Sequence, residues 1–375
     1  MKHTKTAMAL ALTAALLIRP VGTVPAAPPS RVLPDMMTAE TAKAIDKGLK
    51  YLQRTQRRGD GSWTNTGGYG GYNYPAVMTS LAGLALMASG STPETGPYAK
   101  EVKKAMLYIL RLAEARGKDP QWAGLICTPS GESRSMYGHG FSMLFLATCY
   151  GVERNTDFGE RLRKVLDRAV QLTAKSQSDL GAANRHAGGW IYTPSQKADE
   201  GSVTVTQLQA LRACRNVGIK VPRSTIERAV AYLKHCQQAD GGICYSARSR
   251  GSSRPAISAA AIACFYAAGV YDRQSGGSGA EAKMVDKLVA YCNRSVRVSQ
   301  SNGHYFYTHF YMAQGLYQRG GPDWKKYFPQ IRDRLVKTQS VDGSWMGDSV
   351  GTTYGTAIAT IILQLPYGYL PFCQR

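Results

Sequence analysis

From Lys47 to Trp63 the chain reads K-G-L-K-Y-L-Q-R-T-Q-R-R-G-D-G-S-W, an amphipathic run leading through Gln56 into an Asp60-Gly-Ser-Trp turn. The same order returns near the far end, where R-L-V-K-T-Q-S-V-D-G-S-W spans Arg334 to Trp345. A third copy, Y-L-K-H-C-Q-Q-A-D-G-G-I, spans Tyr232 to Ile243 and carries Gln237 and Asp240. Weaker echoes stand at Gln121-Trp122, Gly188-Gly189-Trp190 and Asn302-Gly303-His304-Tyr305. These marks, roughly 40 to 70 residues apart, are the signature of a chain built by repetition.

Each mark lies between two segments of helical character. The first of each pair is amphipathic: Ile45, Leu49 and Leu52 recur at helical spacing, as do Val102, Met106, Ile109 and Leu110, and then Ile226, Val230 and Leu233. The second is apolar nearly all round and rich in small residues: Pro75 to Ala88, Gly140 to Tyr150, Val203 to Val217, Ala256 to Val270, His309 to Tyr317 and Tyr354 to Leu365. A helix without a polar face is a buried helix. An outer amphipathic helix therefore alternates with an inner buried one. An open solenoid usually ends in polar capping repeats, yet this chain ends in Ile361-Ile362-Leu363-Gln364-Leu365-Pro366. In a closed ring the first repeat covers that last helix. The expected fold is all-α, an (α/α)6 toroid of six helical hairpins. One domain is expected over 41–375, with repeats starting near 41, 98, 158, 223, 280 and 322.

Lys2 and Lys5, the apolar run Ala7 to Ile18, and Val24-Pro25-Ala26 have the three-part layout of a secretory signal. The expectation is a signal peptide over 1–26, a linker over 27–40, and a periplasmic or extracellular protein. The apolar run is shorter than the roughly 18–20 residues that span a bilayer, and no later stretch is long enough. An integral membrane protein is not expected. The formal charge is +21, of which Lys2, Lys5 and Arg19 fall in the leader. The remaining positive residues are scattered, as on a solvated basic surface, and would also attract anionic polymers. No nucleic-acid module is recognisable. None of the eight cysteines forms a C-x-x-C pair. Cys149, Cys214 and Cys264 read as buried thiols in helices, Cys236 and Cys244 flank a turn that a bridge could close, and the connectivity stays open.

The repeated Gln…Asp-Gly-Ser-Trp loop resembles the Q-W motif of squalene-hopene and oxidosqualene cyclases, and the Gly-Gly loops of protein prenyltransferase β-subunits. Gly48, Leu52, Gln56, Gly61 and Trp63 follow that spacing, as do Leu335, Gln339, Asp342, Gly343 and Trp345. The chain looks like the exported squalene-cyclase-like repeat proteins of bacteria. Asp-Gly is turn chemistry, and Trp covers the connection with one N–H to donate. The resemblance implies that the Gln side chain ties an outer helix to the next turn. Gln56, Asp60, Trp63, Gln237, Asp240, Gln339, Asp342 and Trp345 are accordingly structural.

In that superfamily the cyclase acid is the middle Asp of a D-x-D-D motif at the start of an inner helix. The corresponding position here is Thr204, beside Val205, and a Thr hydroxyl cannot protonate an alkene. Asp199 and Glu200 lie just upstream. They are the candidate catalytic acids, unless they serve as helix N-terminal carboxylates. The prenyltransferase zinc site needs Asp, Cys and His at a spacing that Asp240, Cys244, His304 and His309 do not reproduce, so no metal or other cofactor is expected. Tyr74, Tyr137, His139, Thr204, Tyr307, His309 and Tyr354 are the candidate cavity-lining residues, since aromatic faces suit apolar chains and sugars alike. The expected function is an exported toroid that holds an apolar isoprenoid or lipid, or a polymer, in its ring. The alternatives are a terpenoid cyclase with a non-standard acid and a polysaccharide-active toroid. Whether the ring is catalytic, and whether it has a partner chain, are not written in these motifs.

Overall fold

The computed structural model describes residues 33–65, 74–116, 122–128, 132–179, 187–268, 279–301 and 303–374. The signal segment, Gln121, Asn302 and most of the Gly-rich stretch after Thr66 lie outside them.

Twelve α-helices alternate along these residues. The outer ones are α1 (Ala39–Thr55), α3 (Ala99–Arg116), α5 (Asp157–Ser176), α7 (Arg223–Cys236), α9 (Gly279–Ser295) and α11 (Gly321–Thr338). The inner ones are α2 (Pro75–Met87), α4 (Ser135–Glu153), α6 (Gly201–Asn216), α8 (Pro255–Ala267), α10 (Tyr305–Arg319) and α12 (Thr352–Gln364). The layers follow from the pattern. In α1 the buried residues include Ile45, Leu49 and Leu52, which share one stripe. In α2 every residue after Pro75 is buried.

Two differences from the sequence reading matter for the site. Helices α4 and α10 begin four or five residues earlier than the apolar pattern does, at Ser135 and Tyr305. Their first five residues contain Tyr137, His139 and Tyr307, whose polar atoms hide the helix from a hydrophobicity count. A small antiparallel ribbon, β1 (Cys244–Ser246) and β2 (Arg250–Ser253), also interrupts the helices; it turns through 247–249, and Arg250 and Gly251 at the start of β2 take positive φ.

The inner helices pack in chain order, and α12 returns to pack on α2 and α1. Gln364 of α12 donates to the Ala85 carbonyl of α2 at 3.0 Å, and Thr353 donates to the Thr64 carbonyl at 2.9 Å. The ring is closed. Burial drives the closure: Ile358, Ile361, Ile362 and Leu363 are no more than 1% exposed, and each such side chain contributes roughly 1.5–3 kcal/mol when removed from water. Small residues set the spacing, since a Cβ on Gly83 of α2 would come 2.5 Å from the ring of Phe145 in α4.

The staples lie between neighbouring outer helices. Gln56 donates at 2.9 Å both to the carbonyl of its own turn, Gly61, and to Glu101 of α3. Gln237 does the same with Gly241 and Met284 of α9, and Gln339 with Gly343 and Ala44 of α1. A fourth staple, Gln177 to Gly188 and Thr225, belongs to the weak echo at Trp190. Asp60 and Asp342 each accept from the N–H and hydroxyl of the serine two residues on. Asp240 accepts from Gly242 N–H and Ser253. Trp63, Trp190 and Trp345 are buried, and each indole N–H meets a carbonyl near the end of the preceding outer helix, that of Leu52, Thr173 and Leu335 respectively.

Candidate functional site

The inner helices point their N-termini toward one end of the ring, and a cavity of about 550 Å³ opens there. It is a cup rather than a channel. Below it, Phe141 of α4 meets Phe310 of α10 with ring centroids 6.2 Å apart. Gln209 of α6 donates to Gln314 of α10 at 2.6 Å, and Thr206 lies 3.4 Å from the Tyr311 hydroxyl. Helices α6 and α10 are not neighbours in the ring, so these contacts fill its axis. At the opposite end Leu370, Phe372 and Cys373 of the C-terminal tail are buried against the ring, and Gln318 donates to the Phe372 carbonyl.

Tyr74, Tyr137, Tyr307 and Tyr354 line the cup, together with Glu200, Ser202, Arg134, Tyr245, Arg254, His304 and Asp348. Val77, Met78, Phe141 and Ile257 form its apolar wall. His139 and Thr204 do not line it; both are fully buried behind it. They occupy one register position repeated around the ring. Thr79, Thr204 and Thr356 each accept the N–H of a motif tryptophan, at 2.9 to 3.0 Å. His139 takes the same part through Nδ1, accepting from Ile126 N–H at 3.2 Å while Nε2 meets the Thr173 hydroxyl at 2.8 Å. His309 bonds the Tyr327 hydroxyl at 2.8 Å and borders a second, smaller niche. Burial holds both imidazoles neutral, with pKa values lowered to about 4.

The two adjacent acids part company. Asp199 turns away from the cup and accepts from the Tyr232 hydroxyl at 2.8 Å and from Ala247 N–H at 2.7 Å, tying α7 to the ribbon. Glu200 turns inward as the N-cap of α6, accepting from Val203 N–H at 2.8 Å and from Ser202 N–H at 3.1 Å. The Ser202 hydroxyl links Glu200 to the Tyr137 hydroxyl. A second carboxylate in the cup, Asp348, was missed in the sequence. It accepts from Tyr305 N–H at 2.8 Å and Phe306 N–H at 3.1 Å, across the connection to α10. Burial pushes the pKa of both carboxyls up, more strongly than their hydrogen bonds pull it down. Burial likewise raises Tyr137, Tyr307 and Tyr354 well above the usual tyrosine range, so these hydroxyls donate hydrogen bonds and stay protonated. A signal for Asp348 existed: like Glu200, it sits in the segment between a motif tryptophan and the next inner helix.

Among the described residues no three His, Cys, Asp or Glu side chains are grouped to hold a metal. All eight cysteines are buried free thiols, Cys236 and Cys244 included.

No protein-family model and no curated protein matches the chain. Solved structures do. An α-1,6-mannanase of glycoside hydrolase family 76 from Salegentibacter superposes with a TM-score of 0.63 at 9% identity, covering 88% of this chain and 99% of that one. The fold is an α/α toroid. A family 76 glycoside hydrolase from Bacteroides thetaiotaomicron gives 0.62 at 9% identity over 88% of this chain and 78% of its own. A type II terpene cyclase from Scytonema gives 0.54 at 14% identity over 88% and 97%. At such identities the likeness is one of fold, which hosts both chemistries.

Proposed function

We propose that the cup is a saccharide site and that the protein is a polysaccharide-active toroid working outside the cytoplasm. The observation that carries this is the pair of inward carboxyl groups, Glu200 and Asp348, in one cavity rimmed by tyrosine hydroxyls. Glycoside hydrolysis needs two carboxyl groups in one site, one of them held protonated to serve as general acid. Burial favours the protonated form of both. Glu200 is the better acid, because Ser202 and Tyr137 form a hydrogen-bonded chain through which its proton can be replaced. Tyrosine faces stack on sugar rings and their hydroxyls bond sugar hydroxyls. The Salegentibacter neighbour at TM-score 0.63 is an α-1,6-mannanase, and an inactive variant of it was solved with α-1,6-mannotriose.

The test is product release from a panel of glycans, read by mass spectrometry, with the wild type and Glu200→Gln. New oligosaccharides with the wild type and none with a folded Glu200→Gln protein support the reading. No binding and no release across the panel would sink it.

A second reading rests on the apolar wall of Val77, Met78, Phe141 and Ile257, which suits an isoprenoid and the squalene-cyclase resemblance of the loops. Against cyclisation of the usual kind stands Thr204, a buried hydroxyl where the acid would be. Organic extraction of the purified protein separates the two: a co-purifying isoprenoid favours the lipid.

A further inference from the structure

The cup is rich in positive groups that carbohydrate hydroxyls do not need. Arg134 and Arg254 are the residues preceding α4 and α8, and both line the cavity. Arg134 is laid over the ring of Tyr192, its guanidinium carbon 4.6 Å from the centroid. Among the described residues neither guanidinium makes an ion pair with a carboxylate. The two acids of the cup already accept from backbone N–H groups, Glu200 at α6 and Asp348 at α10. Arg134 and Arg254 thus face the cavity without a direct ion pair, although Glu200 lies near enough to feel the charge of Arg134.

The charge continues beyond the cup. A niche of about 120 Å³ shares Arg254, Ala256 and His304 with it and leads on to Arg297, Gln300 and Thr308. Cup and niche are thus adjacent, with Arg134 lining the cup, Arg254 lining both and Arg297 lining the niche. A single small anion needs one such group. A row of them fits a chain that carries an anionic group repeatedly. Guanidinium binds carboxylate and sulfate through paired N–H donors, a geometry that a neutral hydroxyl does not reward.

We propose that the saccharide taken at this site is an acidic polysaccharide, its carboxylate or sulfate groups seated on Arg134 and Arg254. This rests on the saccharide reading of the cup and narrows it to a substrate class. The tyrosine hydroxyls of the cup would then contact uncharged hydroxyls, whereas the arginines select for charge.

The experiment is affinity electrophoresis of the purified protein through gels containing hyaluronan, dextran sulfate, neutral dextran or α-mannan. Retardation by the acidic gels and not by the neutral ones is expected, with hyaluronan against dextran sulfate telling carboxylate from sulfate. Arg254→Gln and Arg134→Gln should each weaken that retention by about tenfold, the size of one charge-assisted hydrogen bond. A surface control, Arg161→Gln with Arg163→Gln on α5, should leave it unchanged. Circular dichroism confirms that each variant is folded, and Arg254→Lys supplies a charge-preserving check with partial retention. Acidic retention that survives Arg254→Gln and Arg134→Gln but falls in the α5 control assigns it to the general basic surface and overturns the proposal. Equal retention by neutral and acidic gels overturns the acidic inference and leaves the saccharide reading standing. Retention by none of the four overturns both.

Discussion

Gln339, at the end of the last outer helix, donates its side-chain amide to the main-chain carbonyl of Ala44 in the first, 2.9 Å away and 295 positions apart in sequence. The other staples join helices that follow one another, so chain connectivity already holds their partners near. This one joins the two ends. Gln339→Leu should cost about 1–3 kcal/mol by leaving the Ala44 and Gly343 carbonyls without their donor. Gln330→Ala on the same helix, which bonds only the Lys326 carbonyl and is exposed, should change stability by less than about 0.5 kcal/mol. Urea denaturation of the two variants checks the difference.

Gly343 makes the closing turn. Its φ is +86°, and a Cβ there would come 2.5 Å from the Lys47 carbonyl oxygen of α1. Gly343→Ala should destabilise the protein by more than about 2 kcal/mol, from backbone strain and the forced separation of the first and last hairpins. Gly59→Ala, with no atom within 4 Å of the added carbon, should be nearly neutral. Thermal melts of both variants measure the contrast.

Asp199 and Glu200 are neighbours with different work. Asp199→Ala should lower stability by about 1–3 kcal/mol, because Tyr232 and Ala247 N–H lose a buried acceptor. Glu200→Gln should keep the melting temperature close to that of the wild type and remove turnover. In the wild type, the alkaline limb of the rate profile should lie above the ordinary glutamate range, since burial raises the Glu200 pKa. A Glu200→Gln protein with wild-type turnover would overturn this assignment.

His139 makes stability depend on pH. In the fold its Nδ1 accepts from Ile126 N–H, and burial lowers its pKa from 6.5 to about 4. The unfolded chain therefore binds this proton first, and stability present above pH 6.5 is lost as pH falls toward 4. At pH 4.5 the loss is on the order of 2 kcal/mol for this residue. His309, lowered to about 4 as well, adds in the same sense, whereas Glu200 and Asp348, with raised values, act oppositely. Melting temperatures at pH 7 and 4.5 should converge in His139→Gln relative to the wild type.

The sequence by itself determined the repeat. Gln56, Asp60 and Trp63 recur as Gln339, Asp342 and Trp345 because a turn, its cap and its cover are local chemistry, read within a dozen residues. Buried and half-buried helices were legible for the same reason, since a helix shows its environment in its own periodicity. The cavity was not local. His139 sits two residues from Tyr137 and Thr204 four from Glu200, yet the side chains of His139 and Thr204 face the wall and not the cup. Asp199 and Glu200 differ by one position and point to different places. Asp348 and Arg254 lie 94 positions apart and share one cavity. Which polar side chains meet depends on the rotation of each inner helix and on how six hairpins close, and only the packed ring sets those angles.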